Sequence, residues 1–138
     1  MAAATAPIFP RTADIQMIEA VLAANTTKDL TAGTSYLIFT ADATEGSYLE
    51  RINVQPKGTN IATVMRIWLN NGATTGTASN NHYLKDFTLP ATTNSETAAI
   101  GGAELPINIA LPATWRVYAT LGTAVAGGFA VSGIGGKF

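Results

Sequence analysis

The chain has 138 residues, of which 12% are charged, and its formal net charge is −1. A chain of this length suits one domain and can bury roughly 70% of its unfolded surface, so it needs neither a metal nor a disulfide to fold. The hydrophobic content of 47% excludes intrinsic disorder, and the low, balanced charge excludes nucleic-acid binding through clustered Lys and Arg. The sequence contains no cysteine, which excludes a disulfide framework and a thiolate site.

Residues 1–13 are predicted to form an extended arm. Pro7 and Pro10 bracket Ile8 and Phe9, and proline removes a backbone donor and restricts the residue before it. The segment has neither a basic start nor a continuous apolar stretch, so it does not resemble a signal peptide. We expect an arm at 1–13 and a single domain at 14–138, with Ile8, Phe9 and Pro10 as candidate interface residues that dock on an adjacent subunit.

Residues 14–24 fit two secondary structures. Ile15, Ile18 and Leu22 follow a helical spacing, whereas Ile15, Met17 and Val21 fit a strand equally well. A strand is favoured, because a lone helix beside an all-β chain would need its own packing partner.

The rest of the chain alternates apolar and polar residues with a period of two, which is typical of half-buried strands. Gly and Pro turns separate the runs at spacings near those of a sandwich or barrel. We expect an all-β fold, an antiparallel β-sandwich of about eight strands that is jelly-roll-like. The predicted inward series are Tyr48, Ile52 and Val54; Ile61, Thr63, Met65, Ile67 and Leu69; Leu105, Ile107, Ile109 and Leu111; and Trp115, Val117, Ala119 and Leu121.

Residues 117–136 contain no charge, and their length matches a membrane span. Six glycines interrupt the segment, which favours turns between strands over one long helix. No membrane association is therefore expected.

Few residues offer catalytic chemistry. His82 is the only histidine, and its neighbours are typical of a junction between a loop and a strand. Asp42, Glu45 and Glu50 lie around a predicted hairpin without the spacing of a calcium loop or a sign of the cleft that a glycosidase needs. The glycines open no helix that would cradle a phosphate. We therefore expect no enzyme activity, no metal and no cofactor.

Arg66 and Trp68 share the strand face opposite the predicted core. Exposed Arg and Trp are enriched at protein–protein hot spots, which makes both candidate interface residues. A second core covering this face would instead bury Trp68, and the sequence leaves both alternatives open.

Several segments resemble small virion proteins of tailed bacteriophages, including head decoration (cement) proteins. The similar segments are 24–30 (ANTTKDL), 36–40 (YLIFT), 58–64 (GTNIATV), 68–72 (WLNNG), 87–93 (FTLPATT), 111–120 (LPATWRVYAT) and 122–126 (GTAVA). The resemblance implies a β-sandwich subunit, often a homotrimer, that binds the major capsid protein on the outer capsid surface after synthesis in the host cytoplasm. It implies no catalytic residues.

The expected function is thus a non-enzymatic virion structural protein that decorates and stabilises the capsid by bridging capsid subunits. The alternative is a small carbohydrate-binding β-sandwich used for host-surface adhesion or in a fibre. Such a site would use exposed aromatic rings, for which Tyr48, Trp68, Tyr83 and Tyr118 are the candidates.

Overall fold

The computed structural model of the protein describes residues 9–138, apart from the side chain of Ala20. These residues form eight strands and one 3-10 turn at Ala78–Asn80. The strands are β1 (Thr12–Val21), β2 (Tyr36–Thr40), β3 (Ser47–Pro56), β4 (Thr63–Asn70), β5 (Asn81–Leu89), β6 (Ala103–Leu111), β7 (Arg116–Leu121) and β8 (Phe129–Lys137).

Within the described residues, the strands form two four-stranded antiparallel sheets. The order is β1-β8-β3-β6 in the first, called sheet A, and β2-β7-β4-β5 in the second, called sheet B. Strand β1 pairs with β8, β2 with β7, β3 with β6 and β4 with β5. This is the pairing of one long hairpin rolled into two layers, which is the jelly-roll arrangement. The predicted all-β antiparallel sandwich is confirmed.

Residues 12–21 form β1, which confirms the strand favoured for residues 14–24 as far as Val21, and residues 22–24 lie in the connection to β2. The predicted arm ends earlier than expected, because Thr12 and Ala13 already pair with Lys137 and Gly136. The amide of Arg11 also donates to the carbonyl of Lys137. Proline blocks strand pairing only as far as Pro10, so nothing prevents pairing from Arg11 onward. Ile8 and the rest of 1–8 lie outside the described residues.

The core lies between the two sheets and is built from the inward residues of both. Met65, Ile67, Val117, Ala119 and Leu121 are fully buried there, as their alternation predicts. Trp115 and the β6 series pack against this cluster. The charge-free segment 117–136 contributes to β7 and β8, and no helix within residues 9–138 is long and apolar enough to cross a membrane.

Two residues of the predicted inward series do not point inward. The register of β3 shifts between Leu49 and Arg51, and a bulge of this kind moves the side chains before it to the other face. Leu49 is therefore buried in the core, and Tyr48 lies on the outer face. Ile61 is 58% exposed because β4 begins only at Thr63.

Candidate interaction surface

The outer face of sheet A carries exposed apolar side chains. On β1, Ile15 is 57% and Met17 is 75% exposed. Ile134 of β8 lies directly opposite Ile15 in the ladder, so both side chains are on this face. Isolated exposed apolar residues are common on proteins, whereas a contiguous group marks an interaction site.

An apolar hollow of about 480 Å³ continues this group at the end of the sheet. Phe9, Pro10, Tyr48, Ala110 and Phe138 line it. Phe9 is 71% exposed, so the hollow leaves much of this ring uncovered. We call the hollow together with Ile15, Met17 and Ile134 the apolar face.

A glycine fixes where the N-terminal residues cross the apolar face. A side chain at Gly136 would collide with the ring of Pro10 and would approach the carbonyl of Thr12 within 3.0 Å. The absence of a side chain at Gly136 therefore lets Pro10 lie directly on β8. Phe9 and Pro10, two of the predicted interface residues, are held at the edge of the hollow in this way.

The charges around the apolar face are paired. Arg51 Nη1 lies 2.6 Å from a carboxylate oxygen of Glu50, and its Nε lies 3.8 Å from Glu104. Lys57 lies 3.2 Å from Glu19, and Arg11 pairs with Glu45. Exposed pairs of this kind add little stability. Because each positive charge lies beside a negative one, the apolar face has no large electrostatic potential of either sign. Apolar contact is thus the main interaction that this surface offers.

The outer face of sheet B is different, because part of it is a second buried core. Trp68 is 1% exposed, and its indole N–H donates to the hydroxyl of Thr120, itself 1% exposed, at 3.0 Å. The ring centroid of Tyr83 lies 4.7 Å from that of Trp68. The prediction of Trp68 as an interface residue is therefore wrong, and the alternative of a second core is the correct one.

The connection between β1 and β2, residues 22–35, explains this burial. Arg66 donates to the carbonyl of Asn25 at 3.3 Å, and Asn81 donates to the carbonyl of Asp29 at 2.9 Å. Since Asn81 pairs with Asn70, the two contacts hold the connection on either side of position 68 on β4. Leu30, in the same connection, is 3% exposed. The connection at residues 22–35, which has no regular secondary structure, thus covers Trp68.

The side chain of Asn25 gives this connection its shape. Its amide nitrogen donates to the carbonyls of Ala32 and Thr34, and its oxygen accepts from the backbone and hydroxyl of Thr27. Asn25 is 3% exposed, and its bonds close the loop that lies over Trp68. Arg66 is half-buried beside a hollow of about 310 Å³ that Thr88 and Thr123 also line, and its role in an interface stays a prediction.

The four aromatic candidates for glycan binding do not form one platform. Tyr48 lies on sheet A, whereas Tyr83 and Tyr118 are both paired with Trp68 on sheet B. Burial and the hydrogen bond that its hydroxyl donates to Asp86 at 2.6 Å raise the pKa of Tyr83. That bond uses the hydroxyl's one donor within the protein.

The polar residues considered for catalysis have structural environments. The backbone N–H groups of Glu45 and Thr44, together with nearby Lys137, lower the pKa of Asp42. Glu45 and Glu50 pair with arginines, and His82 is exposed at the start of β5. No group of three His, Asp or Glu side chains within residues 9–138 is placed to hold a metal ion.

The chain was compared with protein-family models, curated proteins and solved structures, and no match was found in any of the three.

Proposed function

We propose that this chain is a non-enzymatic structural subunit of a bacteriophage virion, a decoration protein that binds the major capsid protein on the outside of the head. The apolar face of sheet A is the observation that supports this proposal most directly. Phe9, Ile15 and Met17 each expose more than half of their side chains there. A contiguous exposed apolar face of this kind is typical of a surface that another protein covers.

The composition supports the same function. Charge normally keeps a free monomer soluble, and this chain has about half the usual charged fraction of roughly 25%. A subunit that is partly covered by a shell needs less charge, because less of its surface meets water. Jelly rolls occur in capsid proteins and also in lectins and enzymes, so the fold allows the proposal but does not carry it.

Binding of this kind stabilises the particle by linkage. A subunit that binds the assembled shell and not its separated parts shifts the equilibrium toward the shell. If each copy contacts two neighbouring capsid subunits, it also opposes their separation. The expected result is a decorated head that resists heat better than an undecorated one.

The test uses heads that lack this chain and to which purified protein is added back. Met17→Lys places a charge on the apolar face, and because Met17 is 75% exposed, the fold should be unaffected. Fully burying a Met side chain is worth about 1.5–3 kcal/mol, so losing it should weaken binding to heads about tenfold or more. The matched control is Thr88→Lys, at an exposed position of β5 in the other sheet.

Three results would bear on the proposal. The wild type and Thr88→Lys should bind heads and raise the temperature at which they release their genome, and Met17→Lys should do neither at the same concentration. Equal binding of all three proteins would show that the apolar face is not the contact. A wild type that does not bind heads at all would overturn the proposal itself.

A further inference from the structure

Among the described residues, three of the four sheet edges carry features that oppose pairing with another strand. The edge of β6 contains Pro106, which lacks an N–H, and Asn108 with a φ of 53° at an irregular register. The edge of β5 carries the charged residues Lys85 and Asp86. The edge of β2 is short, and the side chain of Gln16 occupies it.

Gln16 of β1 bonds to the backbone of Thr40 in both directions. Its amide nitrogen donates to the carbonyl of Thr40 at 2.8 Å, and its oxygen accepts from the amide of Thr40 at 2.8 Å. These are the two bonds that another strand would otherwise make with β2 at this position. They also tie the two sheets together along the side where β1 and β2 lie.

The edge of β1 is the least protected. Among the described residues, β1 pairs only with β8, and its register is regular from Thr12 to Ile18. Ala13, Ile15 and Met17 are exposed on its outer face, and Asp14, the charged residue of this segment, is half-buried. A long, regular edge whose exposed side chains carry no charge is a template for strand addition.

We propose that β1 pairs antiparallel with β1 of a second copy of this chain, about a two-fold axis at Ile15. Isologous contacts of this type require a self-complementary patch. Ile15 is the midpoint of the regular segment, so pairing about it uses every regular residue. It places Ile15 opposite Ile15 of the second copy, and Ala13 opposite Met17.

Charge complementarity favours a two-fold axis at Ile15 over an axis at Asp14 or Gln16. At each end it places Arg11 opposite Glu19 of the second copy, which joins the existing Arg11–Glu45 and Glu19–Lys57 pairs. A two-fold axis at Asp14 would place two aspartates directly opposite each other, which is destabilising. An axis at Gln16 would place Glu19 opposite Ala13 and lose the ion pair.

Pairing about Ile15 would join two copies of sheet A into one eight-stranded sheet. The two apolar faces would then lie side by side on one surface, and the subunit would offer the capsid twice the apolar area. This two-fold dimer differs from the homotrimer that the resemblance implies. It concerns the purified chain alone, so its failure would leave the capsid proposal untouched.

Cysteine substitution can read this register directly, because the natural chain has no cysteine. Residues directly opposite across a strand pair have Cα atoms about 4.5–5.5 Å apart, which is within disulfide range. Ile15→Cys should therefore form a disulfide-linked dimer under mild oxidation. Met17→Cys is the matched control. In the proposed pairing the two cysteines of a dimer would lie four residues apart along the strand direction, a distance of about 14 Å that a disulfide cannot span.

The readouts are the masses on a non-reducing gel and by sedimentation. The proposal expects a wild-type species of twice the 14.3 kDa chain mass, rapid cross-linking of Ile15→Cys and little of Met17→Cys. Thr88→Lys, on β5 of the other sheet, should remain a dimer. A wild-type monomer or trimer, or equal cross-linking of the two cysteine variants, would overturn the proposed pairing.

Discussion

Replacement of Asn60 by alanine should be among the most destabilising single changes in the loops. Asn60 is 3% exposed and joins three connections at one end of the sandwich. Its backbone exchanges two hydrogen bonds with Thr92. Its side chain accepts from the amides of Gly127 and Gly128 at 2.8 and 2.9 Å and donates to the carbonyl of Gly128 at 3.1 Å.

The magnitude follows from the groups that the substitution leaves unpaired. The carbonyl of Gly128 still accepts from the amide of Lys57, so it keeps one partner. The two glycine amides lose theirs, and each buried unsatisfied donor costs about 1–3 kcal/mol. Gly128 is buried while Gly127 is half-buried and can regain water, so the expected loss is about 2–4 kcal/mol.

Chemical denaturation and thermal melting measure this loss. A loss of this size should lower the melting temperature by roughly 6–15 °C in a domain of this length. The matched control is Asn53→Ala at an exposed position of β3, which should stay within about 0.5 kcal/mol of the wild type. If Asn60→Ala were no less stable than Asn53→Ala, the side chain would not clamp these connections as described.

Three further predictions concern other parts of the fold. Trp68→Ala should cost about 3–5 kcal/mol in denaturant unfolding, whereas an exposed tryptophan would cost under about 0.5 kcal/mol. Gln16→Glu should lower the melting temperature at neutral pH, because a carboxylate cannot donate to the carbonyl of Thr40. At lower pH the carboxyl becomes protonated, and part of the lost melting temperature should return. Asp42 has a lowered folded-state pKa, so its contribution is present above its ordinary value of 3.8 and is lost as the pH falls through the folded pKa. On acidification, the melting temperature of Asp42→Asn should therefore fall less than that of the wild type. Equal falls would show that ionised Asp42 does not stabilise the fold.

The sandwich could be predicted because its signals are local. The alternation of Met65 and Ile67, or of Val117 and Ala119, is visible within one strand and requires no knowledge of the partner strand. The strand order is not visible in the sequence, since every pair in it except β4–β5 joins strands that are not consecutive in the chain. Only the expectation of a jelly roll anticipated it.

The errors have a common cause, which is that the deciding contacts come from elsewhere in the chain. Tyr48 points outward because of a bulge in the β3–β6 ladder, and period-two counting cannot see where a ladder gains a residue. Trp68 is buried because a distant connection, ordered by Asn25, lies over it. The exposure of Ile15 and Met17, on which the apolar face depends, follows from their position on the outer face of sheet A, and the alternation within β1 does not show which face is outward.

We expect sheet A to bind the major capsid protein through its apolar face. An image of the assembled particle at side-chain resolution would show which sheet meets the shell. We expect density for this chain on the outside of the head, with Phe9, Ile15 and Met17 against the shell and sheet B facing away. Density with sheet B against the shell, or heads without this chain, would contradict it.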